Sequence, residues 1–177
     1  PNVRFLAPLV DEVELLYFES RGPQWLPGPD AVAELAELAQ EHELTYNVHL
    51  PLDLHLGHAD PNVRGHGREA ARQLIKRLTP LRPLCWVAHL DFHGPDGEPP
   101  DDTRAWRARL AESLDLLSRT LRSNGFDANT LAVENLLYPL DLVADLALER
   151  DMRLCLDLGH ALRCESDWQA LFHSHLG

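Results

Sequence analysis

The sequence predicts a parallel α/β fold built from five consecutive βα units. Short apolar runs of strand length alternate with longer segments of helical period along the 177-residue chain. The apolar runs lack strict alternation of apolar and polar residues, which is typical of parallel strands covered on both faces. No low-complexity tract or linker sequence interrupts the series. We therefore expect a single domain over residues 1–177.

Five runs are predicted as strands. Each is six or seven residues long, within the usual length of a strand and too short for most helices. They are VELLYF (13–18), TYNVHL (45–50), LCWVAHL (84–90), TLAVEN (130–135) and RLCLDL (153–158). The spacing between consecutive runs leaves room for a crossover helix, which parallel pairing requires.

Five other segments have helical period, and a sixth at the start indicates the tail of an earlier helix. Asp30 is predicted to cap the first, the Asn124–Gly125 pair to end the third, and Pro139 to lie in the first turn of the fourth. The five are AVAELAELAQEH (31–42), GREAARQLIKRL (67–78), RAWRARLAESLDLLSRTLRSNG (104–125), PLDLVADLALERD (139–151) and SDWQALFHSHL (166–176), and the opening tail is NVRFLAPLV.

Two architectures fit this series of units. One is a complete five-stranded doubly wound sheet, and the other is part of an eight-stranded (β/α)₈ barrel, whose full length is typically about 250 residues. In both, functional groups belong at the carboxyl ends of the strands. The two longest predicted loops, 51–66 and 91–103, both follow strands, so we expect them to shape a binding pocket.

The charge and the cysteines restrict the partners and the compartment. The formal net charge is −12, whereas proteins that bind nucleic acid usually carry a basic face. We therefore expect neither nucleic acid nor an anionic membrane surface as a partner. The three cysteines form no CxxC pair and fit a reducing cytoplasm. The oligomeric state stays open at this point.

Polar side chains stand at the carboxyl end of every predicted strand. A single histidine or carboxylate there is more often a surface or capping residue than a ligand. Parallel strands, however, bring all of these ends to one mouth, where imidazole and carboxylate groups together suit Zn²⁺, Mn²⁺ or a similar cation. In chain order the residues are Glu19, His49, His89, Glu134 with Asn135, and Asp157 with His160.

Other catalytic chemistries have little support in the sequence. No GxGxxG segment follows a strand, and no Walker loop or GxSxG elbow is present. Ser20 lies near a strand end without such a context, which disfavours a serine nucleophile. Without a cation, Glu134 and Asp157 would repel each other, and one of them would take up a proton.

At these strand ends the chain resembles the xylose isomerase-like superfamily of TIM barrels, which includes sugar isomerases, epimerases and the family 2 AP endonucleases. The matching stretches are VELLYFES, YNVHLPLDLHLG, WVAHLDFHG, LAVENLLYP and LCLDLGHA. The most specific part is Glu134-Asn135 followed by Asp157-x-Gly-His160 on the next strand. The resemblance covers nearly the whole chain and implies a partial barrel of about five βα units, strands two to six, in agreement with a first residue that is Pro1.

The resemblance also implies roles for the polar residues. Glu134 and Asp157 would be metal ligands, with Glu134 able to bridge two ions, and His160 would bind metal or a substrate oxygen. Histidines at the places of His49 and His89 are further ligands in the zinc-dependent phosphoesterases of the superfamily. Glu134 and His160 would act in catalysis. Zn²⁺ or Mn²⁺ is expected, and Mg²⁺ or Co²⁺ is compatible. The residues expected to contact substrate are Glu19, His93 and Asn135.

Three functions stay open from the sequence. The first is hydrolysis of a phosphodiester in a small nucleotide-containing molecule, since VELLYFES, HLPLDLHLG and ENLLYP are similar to cobamide-remodelling phosphodiesterases, which cut the nucleotide loop of cobamides. The second is a metal-dependent isomerase or epimerase of a sugar or sugar phosphate. The third is an inactive fragment of such an enzyme, because the family's ligands from strands seven and eight are absent from 1–177. The first two predict a small sugar or phosphorylated molecule as the substrate class.

Overall fold

The computed structural model describes residues 2–20, 25–90, 100, 102–163 and 167–175. Its five parallel strands form one sheet in which each strand lies beside the one that precedes it in the sequence. This order is that of a (β/α)₈ barrel, whereas a doubly wound sheet reverses its strand order at a switch point. The fold is therefore a partial (β/α)₈ barrel. The strands are β1 (Glu12–Leu16), β2 (Thr45–His49), β3 (Cys85–Ala88), β4 (Leu131–Glu134) and β5 (Arg153–Cys155).

Helices connect and follow the strands. In the part of the chain that the structure describes, no helix is both long enough and apolar enough to cross a lipid bilayer. The expected tail of an early helix is present as the first of them. The α-helices are α1 (Asn2–Leu6), α2 (Pro29–His42), α3 (Pro61–Leu78), α4 (Thr103–Ser123), α5 (Ala144–Leu148), α6 (Leu158–Arg163) and α7 (Trp168–His175).

Helix α2 begins at Pro29, and the prediction that Asp30 caps it is wrong. The N-cap is Gly28, which makes no side-chain hydrogen bond to the helix. The fixed φ of Pro29 suits the first helical position, where a missing N–H loses no hydrogen bond. Asp30 thus lies inside the first turn, where its negative charge is favourable near the positive end of the helix dipole.

Helix α3 begins six residues earlier than its apolar periodicity predicts. The Asp60 carboxylate accepts a hydrogen bond of 2.8 Å from the Asn62 backbone N–H, and Pro61 takes the first helical position. The first two turns carry polar residues and two glycines, so the buried stripe becomes regular only from Ala70 onwards. The predicted loop 51–66 therefore ends before Pro61.

Two predicted elements end early at the carboxyl-terminal side of the sheet. The expected helix over 139–151 is a short 3₁₀ turn at Leu140–Leu142 followed by α5, because Val143 adopts a non-helical φ of −133° between them. Pro139 precedes the 3₁₀ turn instead of lying within it. The strand predicted over 153–158 stops at Cys155, and the chain then enters α6, which periodicity did not predict.

The hydrophobic core lies between the outer face of the sheet and the helices. Successive strand residues point to opposite faces, and those of the outer face, such as Val48, Trp86 and Val133, are fully buried. Burying each such side chain stabilises the fold by about 1.5–3 kcal/mol. The inner face carries the polar residues of the cavity together with apolar ones such as Val87 and Ala132. Helices α3 and α4 supply the opposing layer, with Ala71, Leu74, Ile75, Leu110, Leu114 and Leu117.

The segment that joins β2 to α3 is fastened to its neighbours by polar contacts. The Asp53 carboxylate accepts hydrogen bonds from the Ser20 backbone N–H at 2.8 Å and from its hydroxyl at 3.1 Å. The Ser113 hydroxyl on α4 donates to the Leu56 carbonyl at 2.8 Å. Ser20 is 2% exposed, and its Oγ also lies 3.1 Å from His66 Nε2. It therefore links two segments and is too buried to attack a substrate.

Two glycines of α3 test how tightly this segment packs. A Cβ on Gly67 would lie 1.7 Å from the Leu54 carbonyl oxygen, whereas a Cβ on Gly65 would meet no heavy atom within 4 Å. We predict that Gly67→Ala lowers the free energy of unfolding by about 1–3 kcal/mol or more, as overpacking does. Gly65→Ala should raise it by about 0.5–1 kcal/mol through helix propensity. Urea unfolding would measure both, and an unchanged or raised free energy of unfolding for Gly67→Ala would contradict the close contact.

Candidate functional site

A cavity of about 620 Å³ opens at the carboxyl ends of the strands, on the inner face of the sheet. Parallel strands direct these ends the same way, so residues far apart in sequence meet there. The loop residues 51–60 do not line the cavity. The prediction that this loop shapes the pocket is therefore not supported. Loop 91–103 lies largely outside the described residues. The predicted site residues that line the cavity are His49, His89, Glu134, Asp157 and His160.

The carboxylate of Glu134, at the end of β4, is the centre of this cluster. Its Oε2 lies 3.0 Å from His49 Nε2 and 3.2 Å from His89 Nε2. Its Oε1 lies 3.2 Å from His160 Nδ1. The rings of His49 and His89 stand almost perpendicular, with centroids 4.7 Å apart. Three imidazoles thus surround one carboxylate whose residue is only 5% exposed.

The hydrogen bonds of His49 restrict the state of its Nε2 to two alternatives. Its Nδ1 lies 2.8 Å from the Leu50 carbonyl oxygen, which can only accept, so Nδ1 carries a hydrogen. Its Nε2 then either carries a second proton toward Glu134 or directs its lone pair at a cation. This pattern, in which one ring nitrogen is held by the backbone and the other is directed at the site, is typical of a metal-ligating histidine.

The pKa values of Glu134 and His49 reflect the need of the buried Glu134 carboxylate for positive charge nearby. Burial alone would raise the pKa of Glu134, but the hydrogen bonds to His49 and His89 outweigh it and lower the pKa to about 2. Burial alone would lower the pKa of His49, but the contacts with Glu134 and the Leu50 carbonyl reverse this and leave it raised. Glu134 is therefore negative at neutral pH and requires a cation or a proton among its neighbours.

Asp157 and His160 occupy the start of α6, where Asn135 holds them in place. The Asp157 Oδ1 accepts a hydrogen bond of 2.8 Å from the His160 backbone N–H, which leaves Oδ2 for other partners. Asn135 is 3% exposed, and its amide pairs with the backbone N–H and carbonyl of Asp157. The Asn135 carbonyl lies 2.9 Å from His160 Nδ1. These contacts favour a positioning role for Asn135 over the substrate contact that the sequence suggested.

The donor atoms form two overlapping groups that could each hold a metal ion. One comprises His49, His89 and Glu134, and the other comprises Glu134, Asp157 and His160. Within each group the ligand atoms lie within 4.8 Å of one another. Imidazole nitrogens with carboxylate oxygens are the ligands that Zn²⁺ and similar divalent cations use in proteins. The donor set therefore fits a metal, and Glu134 is shared by both groups.

The other predicted residues fall elsewhere, and the cavity includes residues that the prediction missed. Glu19 is exposed and does not line the cavity. His93 lies outside the described residues. Glu14 and Cys155, on the edge strands β1 and β5, line the cavity without having been predicted. Both residues could have been predicted from the alternation of side chains along each strand, because residues two apart point to the same face of the sheet.

A model of the family described as xylose isomerase-like TIM barrel matches residues 10–175. The chain belongs to this family. The match spans all five strands and the whole cluster around Glu134. No protein among curated sequences matches the chain.

Solved structures share the fold of this xylose isomerase-like chain. A D-psicose 3-epimerase crystallised with D-fructose is 15% identical over 98% of this chain and 63% of its own, with a TM-score of 0.74. Endonuclease IV from Thermus thermophilus is 19% identical over 90% and 56%, with a TM-score of 0.64. The TTHB071 protein from the same organism, soaked with ZnCl₂, is 26% identical over 91% and 62%, with a TM-score of 0.65. The chain thus spans about three fifths of their length.

The cluster predicts a specific pattern of metal binding. We expect Glu134→Gln to weaken Zn²⁺ binding by more than about 100-fold, because loss of an outer-shell partner alone weakens metal binding by about 10–100-fold. His42→Ala, at the end of α2, should leave Zn²⁺ binding unchanged, since His42 lies outside both groups. Competitive titration with a zinc-sensitive dye measures both affinities. Equal Zn²⁺ affinity of the wild type and Glu134→Gln would rule out Glu134 as a ligand.

Proposed function

We propose that this chain carries the metal site of a divalent-metal-dependent enzyme that hydrolyses a phosphodiester in a small nucleotide-containing molecule. The observation that carries the proposal is the contact of both His49 and His89 with Glu134 Oε2, at 3.0 and 3.2 Å. These two histidines add an imidazole-rich group to the carboxylate side formed by Glu134, Asp157 and His160. Two cations that share one carboxylate suit phosphoester hydrolysis, which must stabilise both the attacking and the leaving oxygen.

The mixed nitrogen and oxygen donors favour Zn²⁺ or Mn²⁺ as the cation. Mg²⁺ prefers oxygen ligands and water, so three histidines suit it less well, and Co²⁺ is compatible with the same donors. When bound, such a cation supplies Lewis acidity toward a phosphoryl oxygen and toward water. His49, His89, Glu134, Asp157 and His160 are the proposed ligands.

The protein's own groups would orient this chemistry. The Leu50 carbonyl holds the His49 ring, and Asn135 holds the Asp157 backbone, so the ligands need little rearrangement. His160 is the most exposed of the three histidines, with 30% of its side chain accessible, and is placed to contact a substrate oxygen. Burial raises the pKa of Cys155 to about 11, and nearby Glu134 adds to the shift, so its thiol stays neutral and is a poor nucleophile.

Epimerisation of a sugar is the second candidate function, because the chain shares its fold with D-psicose 3-epimerase at a TM-score of 0.74. In that reaction a metal-bound carboxylate would orient the substrate and a second carboxylate would move a proton. The epimerase likeness rests on 15% identity and therefore supports the fold alone. The two histidines on Glu134 are the reason that hydrolysis is placed first.

The finer identity of the substrate rests on sequence similarity. The stretches VELLYFES, HLPLDLHLG and ENLLYP support a cobamide as the substrate and the phosphodiester of its nucleotide loop as the bond that is cleaved. A cytoplasmic location and a small-molecule substrate complete this proposal. The net charge of −12 favours such a substrate over a nucleic acid.

The two candidate reactions are separated by assaying the full-length protein with Zn²⁺ or Mn²⁺. We expect hydrolysis of bis(p-nitrophenyl) phosphate and no conversion of D-fructose to D-psicose. His49→Ala and His89→Ala should each reduce hydrolysis by about 100-fold or more, since each removes a proposed ligand. His42→Ala serves as the histidine control. Epimerisation without hydrolysis would favour the second candidate, and neither activity with bound metal would indicate an inactive member of the family.

A further inference from the structure

We infer that Glu14 binds vicinal hydroxyl groups of a sugar in the substrate, at the β1 side of the cavity. This inference rests on the proposed function, because it concerns the same cavity and adds a contact for the part of the substrate that does not react. Glu14 lies on β1, which contributes no residue to either metal-binding group. It nevertheless lines the cavity together with His49, His89 and Glu134.

The strand register places Glu14 below the cluster on the same face of the sheet. In the pairing of β1 with β2, Leu16 is opposite His49 and Glu14 is opposite Asn47. Residues two apart on a strand share a face, so Glu14 lies one layer deeper than Leu16, beside His49. The neighbouring strand continues this layer, because Asn47 is opposite Cys85 on β3. Of these three residues, Glu14 lines the cavity, whereas Asn47 and Cys85 do not.

This layer offers hydrogen-bond acceptors that the protein leaves unfilled. The Asn47 amide donates to Glu12 Oε1 at 2.8 Å, which occupies that carboxylate. Among the described residues, no hydrogen bond or ion pair engages the carboxylate of Glu14, which is exposed. A molecule that enters the cavity beside β1 thus meets the carboxylate of Glu14, which requires hydrogen-bond donors.

The charges of the cavity determine which end of a substrate faces Glu14. Glu14 and Glu134 line the same cavity, and the proposed cations lie at Glu134. A phosphoryl group would be repelled by Glu14 and attracted by cations held at Glu134. The remaining end of the substrate must therefore be uncharged and rich in donors. The two oxygens of a carboxylate match the paired hydroxyls of a sugar ring, which donate in parallel.

The test measures binding of an uncharged sugar, so its readout does not depend on turnover. Methyl β-D-ribofuranoside is titrated into the Zn²⁺-loaded full-length protein and followed by ¹⁵N–¹H chemical shifts. We expect Glu14→Gln to raise the Kd for the ribofuranoside by about tenfold, the loss associated with hydrogen bonds to a charged group. Glu41→Gln, on the exposed face of α2, is the matched control and should keep the wild-type Kd. Unchanged Zn²⁺ content in both variants shows that the site is intact.

Three results would overturn the inference. They are absence of ribofuranoside binding by the wild type, an equal Kd for the wild type and Glu14→Gln, and tighter Glu14-dependent binding of ethylammonium than of the ribofuranoside. The last would assign the carboxylate to a cationic group instead of a sugar. Hydrolysis of bis(p-nitrophenyl) phosphate, which has no hydroxyl groups, reports on the proposed function separately. Glu14-dependent sugar binding without this hydrolysis would refute phosphodiester cleavage and retain the sugar contact.

Discussion

The buried carboxylate of Glu134 is the charge on which the rest of the site depends. An ionised group that is only 5% exposed is stable only if positive charge or hydrogen-bond donors surround it. His49, His89 and His160 come to it from the ends of three other segments, which fixes the position of β2, β3 and α6 at the mouth. A divalent cation between these groups would supply the same positive charge. One arrangement of side chains therefore serves both the stability of the buried carboxylate and metal binding.

This arrangement is possible because the outer face of the sheet forms the hydrophobic core and the inner face lines the cavity. The outer face carries the apolar residues that pack on the helices, including Val48 and Trp86. The inner face carries Glu14, Asn47 and His49, which add little to the hydrophobic core. An exposed polar residue of the inner face, such as Glu14, can therefore change with a small effect on stability, whereas His49 pairs with the buried Glu134. The fastened segment between β2 and α3 and the cap of α6 then hold the mouth in a defined shape.

Much of the site could be predicted because parallel strands place their carboxyl ends together. This one rule brought His49, His89 and Glu134 into a single cluster, and the structure joins them through one carboxylate oxygen. The rule does not say which way a side chain turns once the strand has ended. Asn135, which follows β4 directly, is engaged by the backbone of Asp157, and Glu19, three residues after the end of β1, lies outside the cavity.

The sequence by itself determined the five βα units, the family and the polar strand ends, because apolar periodicity and local motifs are written in neighbouring residues. Apolar periodicity left open the choice between a doubly wound sheet and a barrel, and the family resemblance favoured the barrel. The tertiary structure then showed the strand order, which depends on contacts between segments far apart in the chain. Only the tertiary structure decided that Glu14 shares a cavity with Glu134, because that proximity depends on the register of the strands from β1 to β4, which no local pattern encodes.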